Sequence, residues 1–300
     1  MKDKQTRTDD HKLGADDNSA PSVLYEQPHP QIARIVLNRP GRANAQSYEM
    51  LYALNAAFDR AAADEAVKVI VLAANGKHFS SGHDLQDASL EQLDNHAIST
   101  SRDFHSPGAQ GRWAIEEEVY FGLCWRWRNL PKITIAEVQG KVIAGGLMLI
   151  WPCDLVVAAD DATFADPVVA FGANGVEYFG HPWELGPRKA KEMLFTGRAI
   201  TAKVARDVGM VNRVVPPALL AEETMSLALE IADQPMMGLK TAKESVNQMQ
   251  NEQGFYNALR SAMSLQQLAH AHNEIMHGSP VDPAGVSIIQ KLARKAPLDQ

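Results

Sequence analysis

Cysteine is scarce in this chain, with two residues, Cys124 and Cys153, among 300. Two cysteines in a chain of this length give no disulfide framework, and such sparse use is typical of a reducing compartment. We therefore predict a cytoplasmic protein whose fold depends on its apolar core. The apolar share of 45% is ample for a core of ordinary size.

Long apolar runs are lacking too. The longest candidate, Val142 to Ile150, falls well short of the ~20 residues that a membrane-spanning helix needs. Residues 1–20 are polar and charged and lack the apolar segment of a secretory signal. We predict no membrane partner. We also predict a disordered tail over residues 1–20, because that composition buries too little surface to order itself.

An excess of positive charge is also absent. Lys and Arg number 29 against 36 Asp and Glu, which gives a formal net charge of -7. No nucleic-acid partner is expected without a basic footprint. No phosphate-loop or dinucleotide fingerprint is present, so no resident cofactor is predicted. No metal site is predicted either, since the adjacent carboxylates of Glu116–Glu118 point in different directions on a helix and indicate a solvated face.

The chain does contain alternating strand and helix patterns. A strand-like run at 32–37 is followed by a helix from Ser47 to about Asp64 and by a second strand-like run at 69–73. Strand, helix and strand at this spacing favour a right-handed crossover and an α/β fold.

The pattern changes along the rest of the chain. The stretch 84–111 is polar and predicts an irregular, lid-like connection, and a helix is predicted over 113–129. From Ala218 onward only helices are predicted. We therefore divide the chain into an α/β core over residues 21–217 and a helical region over 218–300.

Two glycine-containing segments, Ser81–Asp84 and Ala144–Met148, each follow a strand-like apolar run. Glycine lets the backbone approach a ligand and adopt positive φ without a Cβ clash. Backbone N–H groups from two such loops can converge on one point, as in an oxyanion hole. Taken in this order, with the segments that lie between and after them, the two loops indicate an enzyme that acts on a thioester.

Further motifs occur in a fixed order around these loops. They are Leu37-Asn38-Arg39-Pro40, Phe79-Ser80-Ser81-Gly82-His83-Asp84-Leu85, Leu130-Pro131-Lys132, Gly145-Gly146, Cys153-Asp154, Ala162-Thr163-Phe164, Phe195-Thr196-Gly197 and Gly209-Met210-Val211. With these motifs the chain resembles the crotonase superfamily, also called the enoyl-CoA hydratase/isomerase family. The resemblance extends from about Val23 to Ser264.

The resemblance implies a crotonase-like spiral of ββα units with a C-terminal α-helical trimerisation region. It implies a homotrimer or a dimer of trimers that binds an acyl-CoA or enoyl-CoA substrate, with no cofactor besides the CoA of that substrate. The N–H groups of His83 and Gly145 would form the oxyanion hole, and the imidazole of His83 is expected to face solvent. Further substrate-binding positions that it implies are Arg42, Ala43, Ala45, Ser81, Asp84, Trp113, Gly146, Met148, Val168 and Tyr178.

Two of these positions depart from the family pattern. Hydratases of the family carry two glutamates that place and activate water, and here those positions are Met148 and Val168. Neither side chain can move a proton. Glu177 is therefore the leading candidate for the acid–base group, and Asp166 is the second. Asp84 is expected to cap the helix after its loop.

Several functions stay open. A single carboxylate favours double-bond isomerisation, and hydration is possible if Glu177 holds water with Asp166 or Tyr178. Hydrolysis of a thioester or of a C–C bond would use the same oxyanion hole. A different class of function is a catalytically silent acyl-CoA-binding protein, and the apolar side chains of Met148 and Val168 favour that hypothesis. An RNA-binding role would need a lysine-rich helix, which is not found.

Overall fold

The computed structural model describes residues 20–86, 89–100 and 102–299. The predicted N-terminal tail, Ala20 excepted, lies outside the described residues. In chain order the strands are β1 Val23–His29, β2 Ile32–Leu37, β3 Val69–Ala74, β4 Ile133–Val138, β5 Lys141–Ile143, β6 Leu155–Ala159, β7 Thr163–Ala165, β8 Ile200–Thr201 and β9 Arg213–Val215.

The helices include α1 Tyr48–Ala63, α2 Leu90–His96, α3 Ala109–Glu116, α4 Leu123–Arg128, α5 Gly145–Ile150, α6 His181–Thr196 and α7 Ala202–Asp207. The C-terminal part contributes α8 Leu220–Ala232, α9 Met236–Glu252, α10 Phe255–His277 and α11 Gly285–Leu292. The predicted order of an α/β part followed by helices therefore holds among the described residues. None of the helices in the described ranges is long and apolar enough to cross a membrane.

Two sheets organise the α/β part. The larger has six strands in the order β1-β2-β3-β4-β6-β9, antiparallel between β1 and β2 and parallel from β2 onward. The smaller sheet has the order β5-β7-β8, and an isolated bridge between Ser80 and Val142 extends it. The chain thus alternates between the two sheets, and this alternation winds the successive units into a spiral.

The alternating side chains of the large sheet separate two apolar layers. Ile70 and Leu72 face the main core, which includes α1. Val69 and Val71 face the opposite way and pack with Leu227 of α8. Successive residues of a strand point to opposite faces of a sheet, so one strand serves both layers. The first helix of the C-terminal region therefore packs on the core of its own chain.

Helix α1 begins where the sequence predicts. The Ser47 side chain accepts a hydrogen bond of 3.2 Å from the Met50 N–H, which otherwise lacks a partner within the helix. The apolar stripe is buried at Leu51, Leu54 and Phe58.

The polar stretch 84–111 is less irregular than predicted. It contains α2 and the start of α3, anchored by the buried side chains of Leu93 and Phe104. The helix predicted over 113–129 starts earlier, at Ala109, and is interrupted by a π-helical stretch at Glu117–Gly122. A π turn inserts one extra residue into the helix and changes which side chains face inward.

Candidate active site

The two glycine loops meet directly. The Gln46 N–H donates to the Gly82 carbonyl at 2.9 Å and the Asp84 N–H donates to the Gln46 carbonyl at 2.9 Å, which fixes the loop on both sides of His83. Gly82 has φ +96°, and a Cβ there would lie 2.9 Å from the Ile143 carbonyl oxygen and 3.2 Å from the Gly145 nitrogen. Only glycine fits so close an approach between two backbones.

The N–H groups of His83 and Gly145 lie in these adjoining loops. Within the described ranges, no hydrogen-bond acceptor faces either of them. Gly145 begins α5, and the first N–H groups of a helix have no partner within it, so its N–H is available to a ligand beside that of His83. Such a pair can stabilise negative charge on a ligand oxygen.

The imidazole of His83 faces the interior, contrary to the expectation that it faces solvent. Its Nε2 lies 3.1 Å from the Glu177 Oε2, and its ring stacks on Tyr120 with the centroids 3.8 Å apart. A Cβ on Gly145 would lie 2.6 Å from the His83 Cε1. Among the described residues, His83 Nδ1 is buried without a partner. Stacking and the contact with Glu177 hold the ring beside the glycine loops.

Glu177 reaches the site from the loop between Gly172 and Gly180. Its side chain is buried, and its carboxylate lies against the imidazole of His83. The structure therefore brings together three residues that the sequence placed in the site, namely His83, Gly145 and Glu177.

Asp166 holds the loop that carries Glu177. Its carboxylate is fully buried and accepts hydrogen bonds from the Val168 N–H at 2.9 Å and the Val176 N–H at 3.0 Å, and it lies 2.8 Å from His181 Nε2. The Val176 contact fixes the residue directly before Glu177. Both carboxylate oxygens of Asp166 therefore already have partners within the protein.

Met148 and Val168 place apolar side chains at the positions that the sequence identified. Met148 lies in α5 with 2% of its surface exposed, and its carbonyl accepts from the thiol of Cys124 at 3.2 Å. Val168 begins a short 3₁₀ turn and is partly buried. Neither side chain carries a titratable group.

The glutamate run 116–118 is not the solvated face that the sequence predicted. Glu118 is buried and accepts from the Tyr52 hydroxyl and from the N–H groups of Ile98 and Ser99. Glu116 is buried as well and accepts from the amide of Gln267 in α10. The prediction fails because α1 and the segment before α3 cover one side of this helix while α10 covers another.

Glu116 is also a buried carboxyl whose surroundings the sequence analysis missed. Burial raises the pKa of its carboxyl well above the usual value, the nearby Glu177 raises it further, and Arg112 and the Gln267 hydrogen bond oppose the shift. The available signal was its position between Trp113 and Tyr120 at helical spacing, which indicates an inward face. The described residues contain no group of three or more potential metal ligands.

Asp84 does not cap a helix. Its carboxylate pairs with Arg39 at 3.0 Å and accepts from the Gln86 N–H at 3.1 Å, because the chain turns here and does not start a helix. Helix α2 starts only at Leu90, after Ser89.

Tyr178 is fully buried, and its ring packs edge to face against Phe255 with the centroids 6.1 Å apart. Within the described part of the chain its hydroxyl has no hydrogen-bond partner, and burial raises the pKa of Tyr178 well above its usual value. Trp113 is partly buried, with the Arg260 guanidinium 5.7 Å from its ring centroid.

The other expected substrate-binding positions lie around the same loops. The Ala43 carbonyl accepts from the Ser81 N–H at 2.9 Å, and the Ala45 carbonyl accepts from the Arg39 guanidinium at 2.6 Å. Arg42 is exposed and donates to Gln86. Gly146 is buried, and a Cβ there would lie 2.8 Å from the Ser80 carbonyl oxygen.

Known proteins are similar to this chain in both sequence and fold. A family model described as "Enoyl-CoA hydratase/isomerase" matches residues 28–279. The chain is 47% identical over 248 residues to "Putative enoyl-CoA hydratase EchA13" of Mycobacterium tuberculosis, covering 81% of this chain and 78% of that protein. It is 37% identical over 218 residues to the human "Enoyl-CoA hydratase domain-containing protein 3, mitochondrial", covering 70% and 65%.

A solved structure agrees with the fold. The crystal structure of a probable enoyl-CoA hydratase from Mycobacterium thermoresistibile superposes with a TM-score of 0.79 at 49% sequence identity, covering 87% of this chain and 99% of that one. The predicted crotonase-like α/β fold is thereby confirmed. Since the family model and these relatives match most of its length, the chain belongs to the enoyl-CoA hydratase/isomerase family, the crotonase superfamily.

Proposed function

We propose that the protein is an enzyme that converts an enoyl-CoA thioester through an enolate held by the N–H groups of His83 and Gly145. The single observation that carries this is the pair of unpartnered N–H groups in the adjoining glycine loops. An enolate oxygen bears the negative charge that such donors stabilise, and one donor of this kind is worth about 10²–10³ in rate.

Glu177 is the group that moves the proton at the α-carbon of the thioester. Its carboxylate is buried beside the glycine loops, at 3.1 Å from His83 Nε2. With a proton on Nε2, the imidazole donates to the carboxylate and fixes its direction. A base held beside the oxyanion donors can remove a proton and return it at another carbon, which is the chemistry of double-bond isomerisation.

Asp166 positions Glu177 without touching the substrate, through its hydrogen bond with the Val176 N–H. Met148 and Val168 shape the apolar wall of the acyl site. Trp113 contributes aromatic surface farther along the acyl chain, whereas the fully buried Tyr178 exposes no surface to it. The CoA lies across the loop edge lined by Arg42, Ala43, Ala45, Ser81, Asp84 and Gly146.

A homotrimer or a dimer of trimers is the proposed assembly, with CoA supplied as part of the substrate and no further cofactor. The exposed apolar side chains of α10 support it, since Leu265, Leu268 and Ile275 lie on one side of that helix. We propose a cytoplasmic, reducing location, which the unpaired Cys124 and Cys153 support. The human relative is named as mitochondrial.

The test measures deuterium uptake at the α-carbon of butyryl-CoA in D₂O by mass spectrometry. The wild type should catalyse the exchange, and Glu177→Gln should lower its rate by about 10²–10⁴-fold, because the amide cannot accept the proton. Glu184→Gln is the matched control. It removes the carboxyl of Glu184, which lies in α6 just after the Glu177 loop. Burial raises the pKa of that carboxyl to about 7, and the nearby Arg128 opposes the rise.

Two results would reject the proposal. Tight binding of acyl-CoA with no exchange in the wild type indicates a silent binding protein. Release of free CoA thiol without exchange indicates a thioester hydrolase.

A further inference from the structure

The loop that carries Glu177 is joined to its surroundings through one carboxylate. Asp166 is fully buried, and its Oδ1 accepts a hydrogen bond from the Val168 N–H at 2.9 Å, while its Oδ2 accepts one from the Val176 N–H at 3.0 Å. Val168 lies before the loop, and Val176 lies directly before Glu177. A carboxylate so far from water is stable only when donors surround it, because an unpaired buried charge is costly.

His181 supplies a third donor from the other end of the loop. It is the first residue of α6, its side chain is fully buried, and its Nε2 lies 2.8 Å from the Asp166 Oδ2. Both oxygens of the carboxylate already accept from backbone N–H groups, and a proton on Nε2 lets the imidazole donate as well. The carboxylate therefore connects the segment before the loop, the residue before Glu177 and the residue after the loop.

The imidazole of His181 has no second polar role within the described ranges. The rings of Trp151 and Phe179 pack against it, with the centroids 4.7 Å and 4.5 Å away. Its Nδ1 is buried and has no hydrogen-bond partner among the described residues. The contact with Asp166 is thus the polar contact that this ring makes there.

Helix α6 gives the imidazole a fixed base. The Glu184 N–H donates to the Gly180 carbonyl at 3.1 Å where the helix starts, and Leu185 is buried in the next turn. A displacement of about 1 Å at a group that takes part in catalysis can lower the rate by about 10²-fold. A rigid connection from α6 to the Glu177 loop therefore matters for proton transfer.

The loop also packs closely around the carboxylate. Gly175 has φ +150°, and a Cβ there would lie 2.8 Å from the Phe179 Cε2 and 3.2 Å from the Asp166 Oδ2. Glycine is the residue that fits such a conformation and so close an approach. The segment that leads into Glu177 is therefore fixed by the carboxylate and by the ring beside it.

We propose that His181 is a positioning residue for Glu177 and that it acts through the Asp166 carboxylate. Its Nε2–H holds that carboxylate, and the carboxylate holds the Val176 N–H. Glu177 is thereby kept at 3.1 Å from the imidazole of His83. This inference rests on the proposed function, since it concerns the placement of the group that moves the α-proton.

Two replacements of His181 separate its hydrogen bond from its volume. His181→Phe keeps an aromatic ring and removes the donor, whereas His181→Gln keeps an N–H about as far from the backbone as Nε2. The rate of α-proton exchange of butyryl-CoA in D₂O should fall by about 10²-fold in His181→Phe. It should return close to the wild-type rate in His181→Gln. The dissociation constant of butyryl-CoA should stay unchanged in both, because the lost interaction affects proton transfer and not binding.

Hydrogen–deuterium exchange of the backbone measures the loop directly. Peptides that cover residues 172–180 should exchange faster in His181→Phe than in the wild type, because the carboxylate that holds the Val176 N–H has lost a donor. His181→Gln should restore the slow exchange. A general loss of structure would instead raise exchange in the core as well, for example in β4.

His270→Phe is the matched control. His270 is a buried histidine of α10, and its Nδ1 lies 2.7 Å from the Pro280 carbonyl oxygen. This variant removes a buried imidazole that has no contact with Asp166. It should keep the wild-type rate of α-proton exchange and the protection of residues 172–180. A loss as large as that in His181→Phe would overturn the inference.

A second variant disturbs the loop and leaves His181 in place. The new Cβ of Gly175→Ala would press on Phe179 beside the Asp166 carboxylate, so the loop has to shift. The α-proton exchange rate should fall while butyryl-CoA still binds. If His181→Phe does not fold, this variant decides the outcome, and wild-type exchange in Gly175→Ala then rejects the inference.

The remaining results separate the two proposals. Wild-type α-proton exchange in a folded His181→Phe protein overturns the positioning role. An equal loss in His181→Phe and His181→Gln also overturns it, because the Nε2–H is then not what matters. Absence of α-proton exchange in the wild type overturns the proposed function itself. The backbone exchange of residues 172–180 still tests whether His181 holds the loop in that case.

Discussion

At the scale of single residues, both the backbone N–H and the imidazole of His83 lie in the candidate site. Its backbone N–H is one of the two unpartnered donors, and its imidazole connects Tyr120 to Glu177. The position of the imidazole depends on the absence of a side chain at Gly145, because a Cβ there would lie 2.6 Å from the His83 Cε1. The glycine therefore makes room for the imidazole.

Replacing Gly145 tests this arrangement. In Gly145→Ala the new Cβ would lie 2.6 Å from His83 Cε1 and 3.1 Å from the Gln46 Oε1, so the imidazole has to move. We expect turnover to fall by about 10²–10³-fold, as for the loss of one oxyanion donor. The measurement is kcat/KM for crotonyl-CoA or the rate of α-proton exchange.

Gly238→Ala is the control, since the space around a Cβ at Gly238 is open within the described part of the chain. If Gly145→Ala keeps wild-type turnover, the imidazole of His83 is not held where the geometry places it.

At the scale of helices and loops, the site depends on segments fixed by local hydrogen bonds. The Asp166 carboxylate fixes the Glu177 loop through Val168 and Val176, and Ser47 fixes the start of α1 close to Gln46. Gln46 in turn holds the His83 loop through its backbone. The start of α1 and the His83 loop are therefore adjacent in the structure.

The Ser47 cap is open to a direct stability test. Ser47→Ala removes the acceptor of the Met50 N–H and should lower the free energy of unfolding by about 1 kcal/mol. Chemical denaturation followed by circular dichroism measures the change. Ser245→Ala, in the exposed part of α9, is the control and should change the stability little. An equal loss in both variants would contradict a specific capping effect.

At the scale of the whole molecule, the C-terminal helices have two faces with different roles. One face of α10 packs on the core, where Leu259 and Met263 are fully buried and where Gln267 reaches Glu116. The other face exposes Leu265, Leu268 and Ile275. A single helix thus packs on the core of its own chain and leaves an apolar surface exposed.

The proposed trimer or dimer of trimers predicts a definite mass in solution. Light scattering coupled to size-exclusion chromatography should give three or six times the 32.8 kDa of one chain. Leu268→Glu places a charge on the exposed apolar face of α10 and should shift the population to smaller species. Asn95→Glu adds the same charge on α2 and should leave the mass unchanged. A monomeric wild type would reject the proposed assembly.

The sequence by itself determined the parts of this protein that rest on local rules. Continuous apolar runs predicted the strands, a serine at the right spacing predicted the start of α1, and the glycines of two segments predicted loops whose backbones approach closely. Each of these follows from the backbone preferences of nearby residues, which need no knowledge of distant contacts.

Tertiary structure decided what depends on neighbours that are far apart in the chain. Glu116 was taken for a surface residue because its sequence context is a run of charges, but α10 covers it from more than 150 positions away. The imidazole of His83 turned inward because Glu177 and Tyr120 hold it. The ionisation of a carboxyl depends on its burial and on the charges around it, and only the packed fold sets these.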